Sequence, residues 1–443
     1  MLTNICYKNP YTIIQCGFKL YAAKHYYCAI RNRYQLSNTK SIQYQYKPGY
    51  LQASEPNFYQ VDALSEGEMI LNLGPQHPST HGVLRLEIVT DGEAVVKVVP
   101  HIGYLHRCFE KHAEALPFNQ ILPYVDRMDY LAAMNCEHVY VMGVEKMLGI
   151  AGTLPKRVEY IRVLVCELNR LASHFVALGT YAMDLGAFTP FLWMMRDREH
   201  ILRMLEWASG ARMLYNYIWV GGLFYDLPPG FEQKCRSFIK YLIPKLIELQ
   251  TILTDNKIFI SRTANIGVLP LSVAINYGVT GPMLRASGLA HDLRKANGGY
   301  GIYNELEFDI PVGEGWAGTQ GDCFDRTFVR VLECYESARL ISQCLDALEN
   351  EHKRSKTFDP QAYCPKKIRP TAQSIYTCGE TPRGELGYFF KTDGKSDIPF
   401  RCKARAASFC NLSVIETISK GCLLADLVAI LGSIDIVLGD VDR

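Results

Sequence analysis

The sequence predicts an α+β fold, with a small N-terminal antiparallel sheet, a central antiparallel helix bundle and a C-terminal α+β segment. Three observations carry this. Between Val83 and Val89, Leu84, Leu86 and Ile88 alternate with Arg85 and Glu87, the period-two pattern of a half-buried strand. From about residue 126 to 348 the apolar positions recur at helical spacing. The stretch 380-ETPRGELGYFFKTDG-394 then reads as strand, turn and strand.

In chain order, Met69–Leu73 and Val83–Val89 are expected strands, and Asp91-Gly92 is a hairpin turn into a return strand at Ala94–Val99. Asp126 can cap a helix running to about Leu148, closed by Gly149. Pro155 suits the first turn of the next helix, whose apolar face is Ile161, Leu164, Leu168, Leu171, Phe175 and Leu178. Thr189-Pro190 opens a third helix to about Ser209, and a fourth runs from Phe231 to Leu253 past Pro244. A fifth covers about Cys323 to Leu348. Long helices joined by short connections imply an antiparallel bundle. Residues 353–370 are rich in Lys, Arg and Pro and read as a linker or surface loop. The apolar stretch 422-CLLADLVAILGSIDIVLG-439 is broken by Asp426, Ser433 and Asp435, so it reads as a buried helix followed by a strand rather than a membrane span. The resulting division is an extension at 1–66, a β domain at 67–100, a helical core at 101–350 and a completing segment at 351–443.

Composition narrows the class. The chain has 443 residues, 48% hydrophobic and 21% charged, which is ordinary for a globular protein. A net charge of +2 argues against a dedicated nucleic-acid binder. Residues 1–50 hold seven Lys and Arg, nine tyrosines and no acid. Such a segment resembles an organelle transit peptide. It is read here as a retained extension that grips partner subunits, with a plain tail as the alternative. The fifteen cysteines contain no C-x-x-C, and the closest pair is Cys402 and Cys410. Zinc and iron–sulfur sites usually need closer ligands, so free thiols in a reducing compartment are expected. Membrane association, if any, is expected through partners.

The loop in 72-NLGPQHPSTHGVLRL-86 sets His77 and His81 four residues apart. A metal-binding H-x-x-x-H needs one helix face, and here Pro78 and Gly82 oppose a helix while the usual glutamate is missing. The loop alone leaves a structural and a functional role open. Tyr130, in 124-YVDRMDYLAAMNCEH-138, suits the core as well as a site. Asp184, just before Gly186, suits backbone donors. Arg107, in 103-GYLHRCFEKHAE-114, suits a surface charge or an interior ion pair.

The strings GPQHPSTHGVLRL, GYLHRCFEK, DRMDYLAAM, MDLGAFTPFLWM, GPMLRASG, GDCFDR, ETPRGELG and LADLVAILGSIDIVLGDVDR occur in order between Met69 and Arg443. Together they resemble the 49-kDa subunit of respiratory complex I, the NADH:quinone oxidoreductase, which is itself similar to the large subunit of nickel–iron hydrogenases. The resemblance implies a hydrogenase-large-subunit-like fold and a quinone-binding core subunit of the proton-pumping complex, in its peripheral arm. It implies that His81 and Tyr130 hold the quinone headgroup, that Asp184 bonds the quinone-site histidine, and that Arg107 lies beside the terminal iron–sulfur cluster. Ubiquinone is then the substrate, this chain ligates no cofactor, and the 4Fe–4S clusters and FMN sit in partner subunits. The implied partners are the adjacent subunit carrying the terminal 4Fe–4S cluster, the 30-kDa subunit and a membrane-arm subunit at the quinone entrance. The implied location is the matrix side of the mitochondrial inner membrane.

The chemistry suits the residue types. Quinone reduction takes two protons at two carbonyl oxygens, and a tyrosine hydroxyl and a histidine N–H can donate at opposite ends. A carboxylate such as Asp184 can fix the histidine tautomer, and an apolar cavity would hold the tail. The sequence also departs from the pattern. Hydrogenases coordinate metal with two C-x-x-C pairs, whereas Cys108 stands alone and Val437 and Asp440 occupy the later thiol positions. Without thiolates there is no soft-metal site, so hydrogenase activity is excluded. Cys108 itself replaces a small residue, usually glycine; Leu214 replaces a histidine, and Trp219-Val220 replaces Arg-Pro. The rivals are a hydrogenase large subunit, a related complex using plastoquinone or another donor, and a non-catalytic interaction protein.

Overall fold

Alternation at the start of the chain produces a three-stranded antiparallel sheet of β1 (Glu68–Leu73), β2 (Arg85–Asp91) and β3 (Ala94–His101), with β2 central. The computed structural model describes residues 67–74, 82–354, 358–361, 363–365 and 367–443, without the side chains of residues 297 and 352–354. The extension, His77 and His81 lie outside the described residues. The described residues belong to one unit, Leu64–Arg443. Leu84, Leu86 and Ile88 are buried as the alternation requires.

The helices follow: α1 (Phe109–Ala113), α2 (Phe118–Asp126), α3 (Ala133–Leu148), α4 (Lys156–Asp184) and α5 (Phe188–Ser209). The short strands β4 (Ile218–Trp219) and β5 (Gly222–Leu223) precede α6 (Phe231–Ile252), α7 (Lys257–Thr263), α8 (Leu271–Asn276), α9 (Pro282–Ala286) and α10 (Cys323–Arg354). α4 packs on α5 and α10, and α6 packs on the same two, which makes the bundle. β6 (Ser374–Thr381), β7 (Gly384–Lys391) and β8 (Arg401–Arg405) form a second antiparallel sheet. The chain closes with α11 (Ala407–Leu412), α12 (Ile415–Ser419), α13 (Leu424–Ile434) and α14 (Leu438–Asp442).

Three local expectations are corrected. Asp126 ends α2 instead of capping α3. The first turn of α3 is capped from α4, where Asn169 Oδ1 accepts the Met134 N–H at 3.1 Å and its Nδ2 donates to the Leu131 carbonyl. A distant amide has taken the role of a local carboxylate, which frees residues 127–132 to turn. The strand expected after α13 is the short helix α14: Asp435 takes a left-handed φ of 58°, and the Asp440 and Val441 N–H groups turn back to the Val437 carbonyl. Finally, α10 runs past Leu348 to Arg354. The described part of the linker lies along β5, with Leu223 N donating to the Pro360 carbonyl and Gln361 Nε2 to the Phe224 carbonyl.

α4 is buried almost all round. Its expected apolar face is buried, but so are Arg162, Glu167, Arg170, Ser173 and His174. Pairing makes this tolerable, since an unpaired buried charge is prohibitive. Arg162 meets Glu145 at 2.6 Å, Arg170 meets Glu167 at 3.2 Å and His174 Nε2 meets Glu333 at 2.9 Å. Arg285 joins Glu333 and Glu380 in the same interior.

The inner face of the N-terminal sheet shares a core with the C-terminal helices. Leu86, Ile88 and Val98 cluster with Ile415, Leu427, Ile430, Leu431, Leu438 and Val441. Leu86→Ala should therefore cost about 2–5 kcal/mol. Denaturant melting of the purified assembly would show it as a lower midpoint, and an unchanged midpoint would contradict this packing.

Candidate functional site

The last twelve residues, Gly432–Arg443, touch every described element that carries an expected site residue. Asp184 ends α4 against α13, and a methyl group placed on Gly432 would lie 3.3 Å from its Oδ2 and 2.6 Å from the Tyr181 ring. Tyr130 sits in the turn between α2 and α3. A methyl on Gly439 would lie 2.5 Å from the Met128 carbonyl oxygen and 3.4 Å from Tyr130 Cδ1. Gly82, the neighbour of His81, packs on Leu438, with 3.3 Å between a methyl placed there and Leu438 Cδ1. Small residues at 432 and 439 are what allow this close approach.

The same segment holds Arg107. The Asp442 carboxylate accepts the Gly103 N–H at 2.9 Å and the Leu105 N–H at 2.7 Å. His106 Nδ1 lies 2.6 Å from the Asp442 carbonyl, so the proton sits on Nδ1. Arg107 N donates to the Arg443 carbonyl, and its guanidinium donates to the Arg127 carbonyl. Arg107 is thus an exposed cation with a fixed backbone partner in the turn that carries Tyr130. Beside it, Cys108 adopts φ 57° at the start of α1. That conformation suits glycine, the residue that the resemblance to the 49-kDa family leads one to expect at this position.

Behind Tyr130 is an ion chain that motif spacing did not disclose. Arg383, in the β6–β7 turn, meets Asp129 at 2.8 Å, Ser173 Oγ at 3.0 Å and Asp435 at 3.3 Å. Asp440 accepts the Ser408 N–H at 2.9 Å. Burial pushes the Asp129 carboxyl up to about 6; Arg383 pulls it down, while Asp440 and Asp435 push it further up. Burial also raises Asp440 and the Tyr130 phenol. Tyr130 is therefore a neutral O–H donor at physiological pH. The quoted motifs contain all four residues of this chain, but only the fold brings them together.

A second buried pair supports the departing segment near Leu214. Asp126 accepts the Asn216 N–H at 3.0 Å, and Glu137 accepts the Tyr217 and Ile218 N–H groups at 2.9 and 2.7 Å. Burial holds the Asp126 carboxyl up at about 6 and raises Glu137 well above its usual range, and the neighbouring Asp126 pushes Glu137 further up. Trp219 Nε1 donates to the Asn216 carbonyl in the same turn.

The donor set does not suit a soft metal. Val437 is apolar, Asp440 is engaged with Ser408, and among the described residues no group of three His, Cys, Asp or Glu could hold an ion.

Residues 184–443 match the family described as "Respiratory-chain NADH dehydrogenase, 49 Kd subunit". A D-type subunit of the NADH-quinone oxidoreductase of Cytophaga hutchinsonii is 69% identical over 89% of this chain and all of its own length. The corresponding D-type subunit of Amoebophilus asiaticus is 63% identical over 90% of this chain and 99% of its own. That of Chlorobium phaeovibrioides is 57% identical over 86% of this chain and 93% of its own. The chain belongs to the 49-kDa subunit family. It is a core component of a multi-subunit NADH–quinone oxidoreductase, and membership decides against a hydrogenase. Among the described residues, no helix of this 49-kDa-family chain is long and apolar enough to cross a membrane.

Two variants probe this geometry. Gly439→Ala should force the α14 backbone off Met128 and Tyr130 at a cost of about 1–3 kcal/mol. The midpoint of thermal unfolding should fall accordingly; an unaltered one would mean the contact is loose. Cys108→Gly should relieve the left-handed strain and stabilise by about 1 kcal/mol. A lower unfolding midpoint in that variant would contradict it.

Proposed function

We propose that this chain supplies the quinone-reduction site of the peripheral arm of the complex, accepting electrons that reach it from NADH through partner subunits. The observation that carries the proposal is the convergence of Tyr130, Asp184 and the chain next to His81 on the single segment Gly432–Arg443. Tyr130 donates its O–H proton to one carbonyl oxygen of the headgroup, and His81 donates to the other. Asp184 sets the tautomer of His81 and favours its charged form. Arg107 adds positive charge on the side where the partner's terminal 4Fe–4S cluster is expected. FMN and the other clusters belong to further partners, and ubiquinone is the proposed acceptor. Proton translocation is assigned to the membrane-arm subunits.

Exposed apolar residues flank the site residues: Ile102 and Tyr104 before Arg107, and Phe188 and Leu192 after Asp184. They suit coverage by the cluster-bearing subunit, the 30-kDa subunit and the membrane-arm subunit, together with the quinone tail. The finer placement, on the matrix side of the mitochondrial inner membrane, rests on the basic extension alone. The relatives named above are bacterial and do not support it.

Tyr130→Phe and His81→Ala in the intact complex should each lower NADH:quinone turnover by about a hundredfold or more. Electron transfer from NADH to ferricyanide should stay at the wild-type rate. Near-wild-type quinone turnover in both variants would overturn the site and leave the chain a scaffold.

A further inference from the structure

The loop that carries Arg107 has few holds of its own. Between His101 of β3 and Phe109 of α1 it is mostly exposed, and only Leu105 packs against the shared core. Among the described residues, the backbone of residues 102–107 bonds outside its own turn only to Asp442 and Arg443. Gly103 N and Leu105 N donate to the Asp442 carboxylate at 2.9 and 2.7 Å, and Arg107 N donates to the Arg443 carbonyl at 3.2 Å. His106 Nδ1 donates to the Asp442 carbonyl at 2.6 Å. The carboxylate bonds are charge-assisted and so are the strongest of the set. The clasp is itself anchored. Arg443 Nη1 donates to the Ala404 carbonyl at 2.8 Å, its guanidinium lies over the Phe409 ring, and its N–H returns to the Gly439 carbonyl.

Arg107 passes this placement on. Its guanidinium donates to the carbonyl of Arg127, three residues before Tyr130 in the same turn. Arg107 also acts on Tyr130 through space: burial raises the phenol, and the charges of Arg383 and Arg107 draw it back down. Resting on the quinone-site reading above, we propose that Asp442 is a positioning residue for quinone reduction: it fixes the 102–107 loop, and through the bond from Arg107 to the Arg127 carbonyl it sets the turn that presents Tyr130. Asp442 touches neither quinone nor Tyr130 in this scheme and acts only through Arg107. A loop left without the carboxylate keeps Leu105 in the core but loses two of its three backbone bonds to Asp442 and Arg443. Arg107 then has no fixed base from which to hold the Arg127 carbonyl. Misplacement of a reacting group by about an ångström is enough to cost one to two orders of magnitude in rate.

Asp442→Asn in the intact complex tests it, because the amide keeps the size and one acceptor oxygen but turns an NH2 group towards one of the two N–H donors. NADH:quinone turnover should fall about tenfold, while NADH:ferricyanide turnover stays at the wild-type rate. Asp442→Glu, which restores the carboxylate one methylene further out, should recover part of the loss and serves as the second variant if the amide does not assemble. The deciding measurement is a double-mutant cycle with Arg107→Ala. A residue that acts through Arg107 adds no further loss once Arg107 is gone, whereas an independent structural role multiplies the two losses. Hydrogen exchange needs no turnover: the Gly103 and Leu105 amides should exchange faster in Asp442→Asn. Multiplying losses, or wild-type turnover together with wild-type exchange in Asp442→Asn, would overturn the proposal. If Tyr130→Phe is inactive while Asp442→Asn turns over as wild type, the quinone site stands and the role of Asp442 falls. If Tyr130→Phe turns over normally, the site reading fails and takes this role with it.

Discussion

The Asp129–Arg383–Asp435 chain is the constraint on which the site depends. It joins three parts of the sequence that are otherwise far apart: the turn before α3, the β6–β7 turn and the start of the C-terminal segment. An isolated buried guanidinium would be untenable, so these three parts must arrive together or not at all. Once Asp435 is held, its left-handed backbone directs α14 back across Tyr130 and Gly82. Asp442 then fastens the loop that carries Arg107.

The interior repeats this logic on a larger scale. Arg162 and Arg285 are buried with acids from other helices and from β6, Arg294 with Glu167 of α4, and Arg170 with Glu167 of its own helix. Such pairs add little net stability compared with apolar residues, because desolvation offsets most of the attraction. Their effect here is on register. Sliding α4 along α10 by a turn would separate His174 from Glu333 and Glu167 from Ser337 and leave charges unpartnered. A reactive site of any kind needs side chains held to within fractions of an ångström, and a polar interior of this kind resists drift.

Sequence patterns reach some of these features and miss others for physical reasons. The alternation at Leu84–Ile88 and the helical face of α4 are legible because each reports burial of a local surface. The break between α2 and α3 is not, since Asn169, more than thirty residues on, supplies the cap expected of Asp126. The run that forms α14 reads as a strand because a short apolar stretch has the same pattern in either state. Tyr130, Asp184 and Arg107 are marked by the family motifs, whose order along the chain survives without any geometry. His81 is marked in the same way and lies outside the described residues. Asp129, Arg383 and Asp440 stand inside those motifs with nothing to signal their association, because charge pairing over 254 residues leaves no periodic trace.

By itself, the sequence determined most of the elements, the family and the chemical types available at the site. Periodicity and motif order are properties of the chain, and they persist in any folded arrangement. The tertiary structure alone decided that Gly432–Arg443 is the common wall of Tyr130, Asp184 and the Arg107 loop. It also decided that Asp129 and Asp435 meet Arg383 behind that wall. Both depend on close approach between distant segments, and only packing in three dimensions sets those distances.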